Sequence, residues 1–146
     1  MFDEYFEEIT EEQNSIFNIK EGDIYYSICD DSDVESIIFE NDSYDNKYIQ
    51  SGNAFLTEKE AEKEVNRRKA IQRIKKYCFE NNIQYKENVS DETFYIGIIY
   101  DYEDEEFYPS TCTDHIDYGF LFFDSYEDVD KVINNCKSEL NIIFDV

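Results

Sequence analysis

The chain has one proline, four glycines, no tryptophan, one histidine and one methionine in 146 residues. So few chain breakers, with no Pro-, Gly- or Ser-rich stretch, exclude a flexible linker. A single compact domain over residues 1–146 is expected at 17.5 kDa. Basic residues are scarce, with 13 Lys and Arg against 36 Asp and Glu. That shortage argues against direct nucleic-acid binding, because phosphate is repelled. No apolar run approaches the ~18 residues of a membrane span. The acidic N-terminus lacks the basic start of a secretory signal. The four cysteines, Cys29, Cys78, Cys112 and Cys136, contain no C-x-x-C pair. They read as free thiols in a reducing cytoplasm, with Cys78 and Cys136 on buried helix faces.

Catalytic signatures are missing too. No G-x-S-x-G, H-E-x-x-H, P-loop or dinucleotide fingerprint occurs. His115, beside Asp114 and Asp117, has no nucleophile motif to serve and reads as a surface residue. The acids of Asp30–Glu35 lack the spacing and central glycine of a calcium loop. Carboxylates are so numerous that no pair stands out as a glycosidase dyad. No enzyme activity, cofactor or metal site is expected.

What the chain does have is acid together with aromatics: a net charge of −23, 13 Tyr and 12 Phe. Acid alone would read as disorder. Acid with 25 aromatic rings reads as a folded domain with carboxylates outside. Abundant Asn, Ile, Lys and Tyr suggest a low-GC genome; halophilic adaptation would also give an acidic surface, but the wealth of Ile, Tyr and Phe counts against it. Residues 1–58 carry a net −14, residues 59–76 a net +5 and residues 77–146 a net −14. Spread over roughly 8,000 Å² of surface, 36 acids give about one per 220 Å². Duplex DNA carries roughly one phosphate per 110 Å². Only clustered acids would match it.

Apolar spacing predicts the fold. Phe2, Tyr5, Phe6, Ile9, Ile16 and Phe17 form a helical stripe opposite Glu7, Glu8 and Glu11. Strands are expected at Ile24–Cys29, Val34–Phe39 and Lys47–Gln50, with turns at Asp30–Asp33 and Asn41–Asn46. Thr57 and Glu60 form a capping box for a helix to about Phe79. In that helix Ala61 and Val65 face one way, and Ala70, Ile71, Ile74 and Cys78 nearly the other. Either it kinks or its halves pack against different elements. Strand character returns at Ile83–Lys86, Thr93–Tyr100, Phe107–Cys112, Tyr118–Phe123 and Ile142–Phe144, with a helix from Ser125 through Leu140.

The motif F-x-[ST]-x-x-[DE]-[AV]-[DE]-K occurs at Phe55–Lys63 and at Phe123–Lys131. It suggests an internally duplicated β-β-β-α-β unit, approximately residues 22–88 and 92–146. The expected class is α+β, with antiparallel sheets backed by two helices and an N-terminal amphipathic helix added.

The densest acidic–aromatic stretch is Tyr100, Asp101, Tyr102, Glu103, Asp104, Glu105, Glu106, Phe107 and Tyr108. Its plain reading is a solvated hairpin tip. Its functional reading is a partner-binding segment: carboxylates stand in for phosphates before Arg and Lys, and rings stack on guanidinium planes. Glu7, Glu8 and Glu11 are further candidates. The basic helix (Lys63, Arg67, Arg68, Lys69, Arg73, Lys75, Lys76) would neutralise the chain's own acids or support a homodimer.

Gly52–Glu62 resembles a G-N-x-F-x-T-x-x-E-A-E segment of small proteins from phages of low-GC Gram-positive bacteria. Tyr102–Tyr108 resembles the acidic loop of small prophage Cas9 inhibitors. In those proteins that loop occupies the surface that reads the PAM duplex. The resemblance implies a phage-encoded anti-CRISPR or anti-restriction protein of the DNA-mimic class, acting in the host bacterial cytoplasm. The implied partner is a nucleic-acid-binding protein, foremost a CRISPR effector nuclease. The alternatives are an anti-restriction mimic and a phage regulator or adaptor that binds protein without mimicry.

Overall fold

The computed structural model describes residues 15–30, 32–87, 95–111 and 121–146. The chain divides into two compact units, residues 1–66 and 67–146. Mixed helices and small antiparallel sheets make the fold α+β.

In the first unit, β1 (Ile24–Ile28) and β2 (Val34–Ile38) form a hairpin. The Cys29 N–H donates to the Asp33 carbonyl at 2.9 Å across the expected turn. Strand β3 (Ala54–Phe55) pairs with the other side of β1, giving the order β2-β1-β3. Side chains alternate along β1, so both faces find a core. Tyr25 packs with Phe39 and Ala54 on one face, against Ile37, Tyr48 and Ile49. Ile28 packs with Ala61 and Val65 on the other.

The third strand expected at Lys47–Gln50 is instead part of helix α1 (Ser43–Gln50). Asp42 overrides the local β character. Its carboxylate accepts the Asp45 N–H at 2.9 Å, and Asp45 reaches back to the Asp42 N–H. This is a capping box built from two aspartates. Asp45 is buried, with 3% of its surface exposed. Its carboxylate accepts the Tyr25 hydroxyl at 2.6 Å and the Glu40 N–H at 2.8 Å. One side chain thus ties β1, the segment after β2 and α1 together.

Helix α2 (Glu58–Glu80) begins where Thr57 Oγ1 accepts the Glu60 N–H. Its two apolar stripes serve different elements. Ala61 and Val65 join the first unit's core, while Ile74 and Cys78 join the second's.

In the second unit, β4 (Tyr85–Lys86) pairs with β7 (Phe122–Phe123), and β5 (Gly97–Asp101) pairs with β6 (Glu106–Ser110). Ile96 and Phe123 exchange two backbone hydrogen bonds of 2.8 Å and link the pairs. Helices α3 (Tyr126–Asn135) and α4 (Lys137–Phe144) follow. The strand expected at Ile142–Phe144 is therefore helical. Leu140 is fully buried, and Ile143 and Phe144 pack beside it on the core. That packing outweighs the β preference of Ile-Ile-Phe. The core gathers Ile74, Cys78, Ile96, Phe123, Val129 and Val132. Burial pushes the Cys78 thiol up to about 11 and the Cys136 thiol up to about 12, so both stay protonated at neutral pH.

The phenylalanine-and-cap motif does recur: β3 ends at Phe55 before Thr57, and β7 ends at Phe123 before Ser125. The surrounding orders differ, β-β-α-β-α-β through Lys86 and β-β-β-α-α from Gly97. A duplicated β-β-β-α-β unit is not confirmed. Most of the N-terminal helix expected over Phe2–Phe17 lies outside the described residues, as do Cys112 and His115; Ile16–Asn18 is a 3-10 turn.

Removing the Asp45 carboxylate tests the tie. Asp45→Ala is expected to cost about 3 kcal/mol in urea denaturation, since it strips charge-assisted bonds from buried donors. Burial raises the Asp45 pKa, but hydrogen bonds from Tyr25 and the Glu40 and Asp42 amides outweigh it, and the net shift is down. Its stabilisation is thus full above the unfolded value of about 4 and is lost as pH falls through the lower folded value. Asp45→Asn is expected to remove that part of the acid dependence.

Candidate partner-binding surface

The stretch Tyr100–Tyr108 is the tip of the β5–β6 hairpin. Asp101 pairs with Glu106 across the ladder, leaving Tyr102, Glu103, Asp104 and Glu105 as the connecting loop. Two carboxylates directly opposite would repel. Asp101 turns its charge into the loop instead: its Oδ1 accepts the Glu103 N–H at 2.8 Å and the Asp104 N–H at 3.2 Å. This aspartate turn closes the loop, as short acceptors do where the chain reverses. Glu105 takes the left-handed backbone conformation, with φ of 55°.

The rings form a ladder down the hairpin. Tyr102, 76% exposed, meets Tyr100 edge-on at 5.0 Å. Tyr100 contacts Phe107 at 4.9 Å, and buried Phe107 meets Phe144 of α4 at 5.3 Å. The tip is therefore anchored to the core by aromatic contact. On the opposite strand the Tyr108 hydroxyl donates to Asp104 Oδ2 at 3.1 Å. That bond, then partial burial, raises the Tyr108 pKa. Burial first, then Glu105, raises that of Tyr100. Both phenols remain donors through the neutral range.

The structure sorts the five acids that the sequence presents as equals. Asp101 and Asp104 hold the loop together. Glu103, Glu105 and Glu106 are exposed, and no basic side chain pairs with them among the described residues. Tyr102 is the most exposed ring between them. Glu7, Glu8 and Glu11 lie outside the described residues.

Several of the bases are engaged elsewhere. Lys75 pairs with Glu87, Lys76 with Glu80 at 3.8 Å, Lys86 with Asp124 at 3.9 Å and Lys131 with Glu127 at 3.4 Å. Lys63, Arg67 and Arg68 also have interaction partners. The basic helix thus spends at least part of its charge internally. Among the described residues no cluster of three or more His, Cys, Asp or Glu could hold a metal ion, and no helix is long and apolar enough to cross a membrane. Protein-family models, curated proteins and solved structures give no match to this chain.

Two outcomes check this geometry. In a spectrophotometric or NMR titration, Tyr108 is expected to ionise above the usual phenol value of about 10, and Asp104→Asn to bring it back down. Glu105→Gly is expected to stabilise the fold by about 1 kcal/mol in urea denaturation, because glycine adopts positive φ without strain.

Proposed function

We propose that this protein is a stoichiometric, non-enzymatic inhibitor that occupies the DNA-binding surface of another protein. The target class is a CRISPR effector nuclease of the host, and the setting is phage infection of a bacterial cytoplasm. One observation carries the reading: the hairpin tip holds Glu103, Glu105 and Glu106 exposed and without ion-pair partners among the described residues, next to exposed Tyr102, on a loop closed by the Asp101 turn and tied to the core through ring contacts. Guanidinium and ammonium groups that hold a duplex and read its PAM bind carboxylates by the same bonds as phosphates. A preorganised tip lowers the entropy cost of presenting them.

The resemblance of Tyr102–Tyr108 to the acidic loop of prophage Cas9 inhibitors supports the same target class. A net charge of −23 supports fast, steered association with a basic groove. An anti-restriction target would present the same chemistry. A regulator or adaptor would bind through apolar contact instead, and its complex would survive ~1 M salt, where the Debye length is ~3 Å.

The test is competition. Purified protein is titrated into an effector–guide complex and binding of the PAM-containing duplex is followed by fluorescence anisotropy. One equivalent is expected to abolish duplex binding, less well as salt rises. The triple reversal E103K/E105K/E106K is expected to weaken inhibition at least about a hundredfold, since interfacial charge pairs couple by ~1.5 kcal/mol or more each. Its folding is expected to hold, because exposed substitutions usually stay within ~0.5 kcal/mol. A triple variant that inhibits at full strength removes the hairpin from the contact. Undiminished duplex binding with every effector and restriction nuclease of the host defeats the proposal.

A further inference from the structure

We propose a second docking surface, in the first unit: the open edge of β2 receives an extended basic segment of a partner protein as a fourth strand. Strand β2 ends the sheet order β2-β1-β3 among the described residues. Its inner side is fixed by the ladder. The Cys29 N–H donates to the Asp33 carbonyl and the Phe39 N–H to the Asp23 carbonyl, so Asp33, Glu35, Ile37 and Phe39 turn their backbones to β1. The two-residue repeat turns the N–H and C=O groups of Val34, Ser36 and Ile38 outward. Natural edges are usually blunted by lysine, proline or a bulge. This strand, Val-Glu-Ser-Ile-Ile, has no lysine or proline, and Ile38 is 59% exposed opposite Ile24 at 56%.

The chemistry of the occupant follows from what lies beside the edge. A groove of about 510 Å³ is lined by Asp33, Val34, Glu35, Glu58, Glu62 and Val65. None of the four carboxylates has an ion-pair partner among the described residues. Glu58 and Glu62 stand one turn apart on α2, a like-charge spacing that costs helix stability. An arriving strand would lay alternate side chains along the face of Val34, Ser36 and Ile38. Lys or Arg suits the Val34 end, where the carboxylates gather, and an apolar residue suits the Ile38 end. A second copy of this chain fits poorly, because each copy carries −23.

The probe is a fluorescein-labelled eight-residue peptide alternating Thr with Arg, Arg, Val and Val, added to the full chain. Anisotropy is expected to show saturable binding. N-methylation of every second peptide residue, which removes its main-chain donors to β2, is expected to weaken binding by about tenfold or more. Ser36→Pro removes one outward donor and spares the ladder to β1, and E58Q/E62Q removes two groove charges. Each is expected to weaken binding several-fold. Amide exchange at Val34, Ser36 and Ile38 is expected to slow on saturation. E103K/E105K/E106K is expected to bind the peptide nearly as wild type, because it alters the other surface.

Equal affinity for the N-methylated peptide, unchanged exchange at those amides, or loss of binding in the hairpin variant overturns the proposal. So does a dimer that Ser36→Pro dissolves, which would assign the edge to a second copy. If Ser36→Pro fails to fold, the N-methylation contrast on the wild-type chain decides alone.

Discussion

Self-repulsion among 36 carboxylates is the constraint that the fold must satisfy. With 13 basic residues, ion pairing can neutralise only a minority of them. The backbone does much of the remaining work. Asp42 and Asp45 satisfy amides at the start of α1, and Asp101 satisfies two amides in the hairpin loop. Glu58 and Glu60 stand in the first turn of α2, and Glu127 and Asp128 in that of α3, where the helix dipole favours negative charge. Apolar cohesion then has to exceed the repulsion that is left. The aromatic contacts supply part of it, from Tyr25 and Phe39 in the first unit to Phe107 and Phe144 in the second.

The same constraint explains which parts of the fold are legible in the sequence. Strands β1 and β2 and helix α2 follow apolar spacing, and the structure places them close to their expected bounds; β5 runs over Gly97–Asp101 where Thr93–Tyr100 is expected. The polar interval in α2 correctly signals two packing partners, because no single core could bury stripes that far apart around one helix. Helix α1 is misread because Tyr48 and Ile49 look like a short strand. The signal that finds it is Asp42 three residues before Asp45, a capping box without serine or glutamate. Ile142–Phe144 is misread because β propensity is local while the burial of Leu140 and its neighbours is tertiary.

The candidate site is legible as a segment and illegible as a mechanism. Composition singles out Tyr100–Tyr108, and the hairpin is where the sequence places a turn. Composition treats five acids alike. Only the fold shows that half-buried Asp101 accepts two loop amides and exposed Asp104 accepts the Tyr108 phenol, while the exposed side chains of Glu103, Glu105 and Glu106 have no basic partner among the described residues. The exposed edge of β2 leaves an even fainter trace, because an edge is a property of sheet order rather than of any residue.

Rigidity and charge at the hairpin reinforce each other. A flexible acidic loop would let its carboxylates move apart in water and would lose that freedom on binding. Here Asp101 fixes the loop backbone, Asp104 accepts the Tyr108 hydroxyl, Glu105 takes positive φ, and Tyr102 is linked through Tyr100 and Phe107 to Phe144. A short hairpin loop has to reverse the chain, and an aspartate acceptor and a positive-φ residue are the means by which it does so. The positive φ at Glu105 and the two amides bound by Asp101 thus set the backbone path that carries the exposed Glu103, Glu105 and Glu106.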